Sequence, residues 1–246
     1  MPGRSGTAAR RPSAPAAPVR RALRPTAPAP PRPAAPRARG AGLEALRQAA
    51  RRCRACPLWK PATQTVFGEG PDDARIMLIG EQPGDREDLA GEPFVGPAGH
   101  LLDRALEEAG TRREAVYLTN VVKHFKFELR GKRRLHKRAR AAEIEACLRW
   151  LEAELEQLAP RYVVCLGAMA ARVMLGAKFK LQAQRGRWLP LGEDRWCLAT
   201  VHPSFVLRSR AGSGYEEAYA AFVADLRQLR QLPDAGAGAV AHVLHC

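Results

Sequence analysis

The sequence lacks the features of a membrane-bound or secreted protein. Its 246 residues contain no apolar stretch long enough for a membrane span or for the core of a signal peptide. Cysteines number only six, and thiols do not form a disulfide framework in a reducing compartment. We therefore expect an intracellular protein with no membrane partner.

Acidic residues are absent from residues 1–42, which hold nine arginines and ten of the twenty prolines. A segment of this composition cannot bury enough apolar surface to offset its chain entropy, so we predict a disordered basic tail. The alternative is an organellar transit peptide, but the prolines oppose the amphipathic helix that such a peptide needs. We predict a folded domain over residues 43–232 and a flexible tail over residues 233–246.

Positive charge is abundant and unevenly distributed. The net charge of +15 and the isoelectric point of about 10.3 predict a polyanionic partner. Outside the tail, the charge is concentrated in residues 123–140, where nine lysines and arginines accompany one acid, Glu128. We predict a basic insertion loop at residues 126–140. His136 stands within this run, although a histidine adds little charge at pH 7.

Apolar runs alternate with amphipathic helical patterns along the folded part. The runs predicted to form buried strands are ARIMLIG, AVYLTNVV, RYVVCLG and RWCLATV. This alternation predicts an α/β fold, a single-domain three-layer sandwich with a central, mostly parallel four-stranded sheet. In such folds a ligand site lies beyond the carboxyl ends of the strands.

The first strand runs into GEQPGDRED, a tight turn that follows Gly80 and presents Glu81, Gln82 and backbone N–H groups. Asp85 and Asp88 stand just behind the turn. Taken alone, this segment is also typical of a plain strand-to-helix connection.

Three more side chains lie at the same predicted edge. Phe94, in a Gly/Pro-rich loop, suggests stacking on a base, unless it is tucked into the core. Asn120 ends the second strand and can read a carbonyl and an imide N–H together, or can form an Asx turn. His202, in VHPS, can donate to a developing oxyanion, or can be a structural histidine. Their joint occurrence indicates an active site at this edge.

The cysteines suggest a second site. Cys53 and Cys56 form a Cys-x-x-Cys pair, which in a reducing compartment is typical of metal binding or redox activity. Cys147 lies on a predicted long helix, and His124 is the best candidate for a fourth ligand. These ligands suit zinc or an iron–sulfur cluster, and their spacing alone does not choose between the two.

A continuous and ordered set of motifs covers about residues 50–208. The motifs are RCRACPLW, FGEG, IGEQPGDREDLAGEPFVGPAGHLLDRAL, VYLTNVVKHFK, EIEACLRWL, VVCLGAMAA and ATVHPS. This set resembles the uracil-DNA glycosylase superfamily, in its iron–sulfur branch. Within the branch, GEQPG and the inserted KRRLH look like the X-type enzymes, which stay covalently attached to DNA. The chain departs from the pattern at His124, where most members have cysteine, and at Leu135, which replaces isoleucine.

The resemblance implies an enzyme that excises uracil from DNA, preferably single-stranded, and that carries a 4Fe-4S cluster. The implied cluster ligands are Cys53, Cys56, His124 and Cys147. The implied DNA contacts are Lys132, Arg133, Arg134, Lys137, Ser204 and Arg208. We also expect a monomer, located in the cytoplasm and associated with the nucleoid as in bacteria.

The resemblance also implies roles for the residues at the sheet edge. Phe94 is expected to stack on uracil, Asn120 to read its edge, and Gly80 and Gln82 to lie against it. His202 is expected to stabilise negative charge on uracil O2 as the glycosidic bond lengthens.

His136 is then expected to attack C1′ of the sugar, which gives free uracil and a stable adduct in a single turnover. Any of Glu81, Asp85 and Asp88 could orient the imidazole. One alternative is a glycosylase with multiple turnovers that uses water as the nucleophile. The other is a non-catalytic binder of uracil-containing or single-stranded DNA.

Overall fold

The computed structural model describes residues 42–192 and 194–233. The two predicted tails lie outside these residues except for Gly42 and Pro233, so their state stays a prediction. No helix within the described ranges is long and apolar enough to cross a membrane.

Seven strands and eight α-helices follow one another in the described residues. The strands are β1 (Ile76–Gly80), β2 (Tyr117–Asn120), β3 (Phe127–Arg130), β4 (Arg133–His136), β5 (Tyr162–Leu166), β6 (Trp188–Pro190) and β7 (Trp196–Thr200). The α-helices are α1 (Leu43–Arg51), α2 (Asp85–Ala90), α3 (Pro97–Glu108), α4 (Ala141–Leu158), α5 (Ala168–Leu175), α6 (Leu181–Gln184), α7 (Pro203–Arg208) and α8 (Tyr215–Leu226). Short 3₁₀ helices lie at Pro57–Trp59, Arg113–Ala115, Ser209–Ala211 and Arg227–Arg230.

Five strands form the central sheet in the order β2-β1-β5-β7-β6. The four predicted strands are all present and run parallel to one another, so the α/β prediction is confirmed. The fifth strand, β6, pairs antiparallel with β7 at the sheet edge and was not predicted. It has three residues and ends in Pro190, and a proline is tolerated only at an edge because it donates no ladder hydrogen bond.

Helices cover both faces of this sheet. Along β1, Met77 and Ile79 pack into a core with α1, α4 and α5, whereas Leu78 packs into a second core with α3, α7 and α8. This alternation follows the two-residue period of a strand. The three-layer arrangement is therefore as predicted.

The predicted insertion loop is a two-stranded antiparallel hairpin. Strands β3 and β4 pair with Phe127 opposite His136, and Gly131 makes the turn with a φ of +60°. A left-handed turn residue favours glycine because it has no Cβ. The charged residues that fill both strands hide the apolar alternation by which a strand is recognised, so the sequence predicted only a loop.

The carboxyl ends of the parallel strands meet at one edge. Gly80 at the end of β1 lies beside Asn120 at the end of β2. Gly167, just after β5, donates its N–H to the carbonyl of Thr200 at 2.8 Å, two residues before His202. Because β1 has β2 on one side and β5 on the other, a crevice opens there, as at other topological switch points.

A buried ion pair joins α4 to the turn after β2. The ammonium of Lys123 donates to Glu154 Oε2 at 2.6 Å, to Thr119 Oγ1 at 2.7 Å and to the carbonyl of Asn120 at 2.6 Å. Both charged side chains are essentially inaccessible to water, at 1% and 0% exposure. The other carboxylate oxygen accepts the backbone N–H of Gly68 at 3.0 Å. The pair is thus fully hydrogen-bonded inside the protein.

We predict that Glu154→Gln lowers the free energy of unfolding by about 3–5 kcal/mol, because Lys123 is left as a buried charge without a counterion. Urea unfolding of the full chain measures this loss. Glu156→Gln, on the exposed side of the same helix, is the matched control and should change stability by less than about 0.5 kcal/mol. Equal losses in the two variants would contradict the prediction.

Candidate functional site

Phe94, Asn120 and His202 come together at the carboxyl edge of the sheet. The ring of Phe94 stacks on the imidazole of His202, with centroids 6.1 Å apart and planes 28° from parallel. A Cβ at Gly80 would clash with Asn120 Oδ1 and with the ring of Phe94. The lack of a side chain at Gly80 therefore lets Asn120 and Phe94 approach each other at the end of β1.

Asn120 is held by its backbone, and its side chain is left available. The residue is 3% exposed, and its carbonyl accepts the ammonium of Lys123. Its side-chain amide has no hydrogen-bond partner within the described ranges. A nearly buried amide of this kind offers both a donor and an acceptor to a ligand.

His202 is the N-cap of α7. Its Nδ1 accepts the backbone N–H of Ser204 at 3.1 Å, so the ring proton lies on Nε2. Burial is the main cause that lowers the pKa of His202 to about 4, and the charge that His136 carries when protonated and the charge of Arg208 add to it. The ring is therefore neutral at pH 7 and carries an Nε2–H donor.

Ser204 and the exposed Arg208 form a chain of hydrogen bonds to this histidine. The Ser204 hydroxyl lies 2.9 Å from His202 Nδ1, and an Nη1–H of Arg208 donates to the same hydroxyl at 3.2 Å. Both were expected to contact DNA. Their contacts in the structure are to each other and to His202.

His136 ends β4 and contacts the turn after β1. Gln82 Nε2 lies 2.9 Å from His136 Nε2 and also donates to the backbone carbonyls of Lys126 and Lys137, at 3.2 and 3.0 Å. Because those carbonyls can only accept, the amide nitrogen faces the hairpin and His136 Nε2 acts as an acceptor. This places the ring proton of His136 on Nδ1.

The surroundings of His136 favour the neutral ring. Partial burial lowers the pKa of His136, and Arg208 and Arg138 lower it further. The carboxylate of Glu81 opposes them, and the net direction is downward. Of the three predicted carboxylates, Glu81 is the one whose charge acts on this imidazole.

Asp85 and Asp88 pair with an arginine of the hairpin. Arg134 Nη1 donates to Asp88 at 2.6 Å, and Arg134 Nε lies 2.5 Å from Asp85. Asp88 also accepts the backbone N–H of Thr63 at 3.0 Å. The guanidinium lies over the rings of Phe125 and Phe127, at 5.6 and 5.1 Å. Arg134 is therefore engaged within the protein, where it ties the hairpin to α2.

Other predicted DNA contacts are free at the surface. Lys132 and Arg133 flank the hairpin turn, are exposed and form no ion pair within the described part of the chain. Lys137 is half-exposed and pairs with Glu128 at 2.7 Å. The tip of the hairpin thus presents positive charge to solvent, at the end of β4 opposite to His136.

Sequence reasoning missed Glu87. This buried carboxylate accepts the N–H of Gly84 at 3.1 Å and the N–H of Gly96 at 2.9 Å. It therefore ties the GEQPG turn to the loop that carries Phe94. Its position three residues after the N-cap glycine is the spacing of a capping box, a signal the sequence did contain.

The three predicted cysteine ligands lie in one core cluster, with Cys147 on α4 and Cys53 and Cys56 in the turn after α1. Burial raises the pKa of Cys147 to about 12 and also raises the pKa of Cys56. Burial alone would raise the pKa of Cys53 as well. The backbone N–H of Ala55 and the side chain of Arg149, which donates to Cys53 Sγ, help to bring it below its ordinary value.

Buried N–H donors surround these sulfurs. Arg149 Nη2 donates to Cys53 Sγ at 3.0 Å, and the backbone N–H of Lys123 donates to Cys147 Sγ at 3.2 Å. Arg149 Nε is buried and has no other partner in the described residues. Such donors stabilise thiolates and cluster sulfurs, so the donor set suits an iron–sulfur group.

His124 is buried in the same region, 5% exposed. Thr65 Oγ1 donates to the carbonyl of Ala50 at 3.2 Å and lies 2.9 Å from His124 Nε2. Since the hydroxyl has one hydrogen, His124 Nε2 donates to it and Nδ1 keeps the lone pair. Histidine ligands of metals are often oriented by such a bond.

These four side chains do not converge on one point. No group of three or more histidine, cysteine, aspartate or glutamate side chains in the described residues could hold a single metal ion. A multinuclear cluster spans a larger volume and does not require its ligands to meet at one atom.

Known proteins resemble this chain over most of the folded region. A family model described as the uracil DNA glycosylase superfamily matches residues 67–227. A type-4 uracil-DNA glycosylase of Thermotoga maritima is 39% identical over 171 residues, which cover 69% of this chain and 85% of the relative. A type-4 enzyme of Pyrobaculum aerophilum is 36% identical, with coverages of 70% and 88%. A type-5 enzyme of Thermus thermophilus is 31% identical, with coverages of 65% and 86%.

The buried His202 predicts a specific pH dependence of stability. Its pKa is about 4 when folded and about 6.5 in an unfolded chain, so protonation favours unfolding. The contribution is complete above pH 6.5 and is lost as the pH falls toward 4. Urea unfolding at pH 7, 5.5 and 4.5 measures the free energy of unfolding. Between pH 7 and 4.5 this free energy should fall less in His202→Asn than in the natural protein. The side-chain oxygen of the asparagine can still cap α7. If the free energy of unfolding fell equally with pH in the two proteins, His202 would not be the cause.

Proposed function

The chain belongs to the uracil-DNA glycosylase superfamily, and we propose that it cleaves the N-glycosidic bond of deoxyuridine in DNA. The observation that supports this is the convergence of Phe94, the free amide of Asn120 and the neutral His202 in one pocket. These groups match a planar base that presents carbonyls and an imide N–H.

Uracil must leave the base stack before it can enter this pocket. The exposed Lys132 and Arg133 at the hairpin tip hold the phosphates of the strand, preferably a single strand, because its bases are already accessible. Binding of this kind releases counterions, so affinity falls steeply as salt rises.

Bond cleavage relies on charge stabilisation. As the C1′–N1 bond breaks, its electron pair moves onto uracil and positive charge develops on the sugar. His202 Nε2–H donates to uracil O2, where negative charge accumulates. Neutral imidazole suits this task because it still carries the Nε2–H while Nδ1 accepts the N–H of Ser204.

His136 then captures the sugar. Its Nε2 lone pair, which accepts from Gln82 in the free protein, turns to C1′ and forms an N–C1′ bond. The uracil anion takes up a proton and leaves. The alkylated ring carries a positive charge until Nδ1 loses its proton, and the nearby carboxylate of Glu81 stabilises that charge. Each molecule of protein therefore reacts once.

The hairpin is held in position for this step. Arg134 binds Asp85 and Asp88 of α2, and Gln82 binds two carbonyls of the hairpin. His136 therefore stays beside the GEQPG turn rather than moving freely with a loop. Fixing a nucleophile near its target removes much of the entropic cost of attack.

We propose that Cys53, Cys56, Cys147 and His124 hold a 4Fe-4S cluster. The donor-rich surroundings of the thiols support this group. When bound, the cluster supplies a metal cross-link among the turn after α1, the segment after β2 and α4. The residues themselves offer three cysteine sulfurs, which would lose their protons on ligation, and one imidazole Nδ1.

The decisive test mixes the protein with a single-stranded oligonucleotide that contains one deoxyuridine, and then denatures it with heat and detergent. We expect a shifted protein–DNA band and one uracil released per protein molecule. His136→Ala should give no band, because the attacking nitrogen is missing. His100→Ala, which removes an exposed histidine of α3, is the matched control and should cross-link like the natural protein.

The other outcomes separate the alternatives. If uracil were released repeatedly and no shifted band formed, the nucleophile would be water and not His136. Binding of the oligonucleotide with neither release nor a band would leave only a non-catalytic binder of DNA.

Cluster ligation predicts a loss of iron in the corresponding variants. Cys147→Ser should lose most of the iron and acid-labile sulfide of the purified protein, since serine is a poor ligand for a cluster. Cys165→Ala, a change at another buried thiol in the sheet, should keep both. His124→Gln tests the fourth position in the same assay. Full iron in Cys147→Ser would refute the assignment.

A further inference from the structure

Phe94 has an unfavourable backbone conformation. Its φ is +57°, in the left-handed region that bulky residues rarely enter, and the residue is 4% exposed. Such a conformation costs about 1–3 kcal/mol and persists only where the surrounding structure imposes it. Some contact must therefore hold this loop in place.

Arg113 makes that contact. Its Nη1 donates to the carbonyl of Phe94 at 3.2 Å, and its Nη2 donates to the carbonyl of Pro93 at 2.9 Å. Asp103 on α3 orients the guanidinium through a 2.7 Å bond to Nη1. One side chain thus binds two successive carbonyls, the one before and the one after the φ and ψ bonds of the strained residue.

The first turn of α3 holds the same carbonyl from the other side. A Cβ at Gly99 would clash with the carbonyl of Phe94, so the loop lies directly on the helix there. This close approach restricts the position of the peptide, while Arg113 supplies its hydrogen bonds. Together they determine the direction in which the ring of Phe94 leaves the backbone.

We propose that Arg113 is a positioning residue that sets the stacking surface of Phe94 for uracil, an inference that rests on the proposed function. Among the residues that the structure describes, Arg113 makes no hydrogen bond to Asn120 or His202 and reaches Phe94 only at its carbonyl. It acts through the backbone and orients the ring that lies against His202. The fork of the guanidinium is required, since a lysine ammonium on its single stem does not bind two carbonyls and Asp103 in this geometry.

The test compares Arg113→Met and Arg113→Lys with Arg112→Met. Arg112 is the exposed neighbour and loses the same charge when changed. Single-turnover release of uracil from a single-stranded oligonucleotide is measured at 25 °C, together with its inhibition by free uracil. Thermal unfolding is followed in parallel, so that each assay is run well below the melting temperature of its variant.

We expect both Arg113 variants to weaken inhibition by uracil at least about 10-fold and to slow release to a similar degree, because the stacking surface is misplaced. Arg112→Met should match the natural protein. In a Phe94→Leu background, Arg113→Met should add no further weakening, since the ring that it positions is gone.

Two results would overturn the inference. In the first, free uracil inhibits Arg113→Met within twofold of the natural protein, whether or not the melting temperature is lowered. Arg113 would then have a purely structural role. In the second, Arg113→Met weakens inhibition by uracil as much in the Phe94→Leu background as it does alone. A natural protein that releases no uracil would instead overturn the proposed function, so the two failures are distinguishable.

Discussion

The buried pair of Lys123 and Glu154 connects the parts of the molecule on which the sites depend. Glu154 on α4 accepts hydrogen bonds from β2 and from Gly68, and Lys123 binds the carbonyl of Asn120. The backbone of Lys123 also donates to Cys147. Because neither charge can reach water, the carboxyl end of β2 and helix α4 can separate only at the cost of an unpaired buried ion.

The two histidines of the pocket show how hydrogen bonds assign chemistry. His202 accepts at Nδ1, so its proton lies on Nε2 and it can donate. His136 accepts at Nε2, so its proton lies on Nδ1 and Nε2 holds a lone pair. Burial lowers the pKa of both rings and keeps them neutral. One imidazole is therefore suited to stabilise a leaving group, and the other to act as a nucleophile.

Local patterns predicted the parallel strands and the edge at which the site lies, since continuous apolar runs and strand-end motifs are visible without partners. They did not predict contacts between distant segments. Arg134, for example, binds Asp88 of α2, 46 residues away, a contact that no local pattern shows. The role of Arg113 depends on the backbone angle of Phe94, which no residue pattern shows. Hairpin β3–β4 escaped prediction because its strands are mostly charged.

The identity of the nucleophile is a question of position more than of intrinsic reactivity. Water is abundant in an open cleft, but a group held close to its target has an effective concentration of about 10⁵–10⁸ M. His136 has such a high effective concentration only if the hairpin stays in place. Two ion pairs from Arg134 hold the hairpin there. The hydrogen bond from Gln82 keeps the lone pair engaged until a sugar cation competes for it. On these grounds the proposed capture by His136 depends on the position of the hairpin and not on the histidine alone.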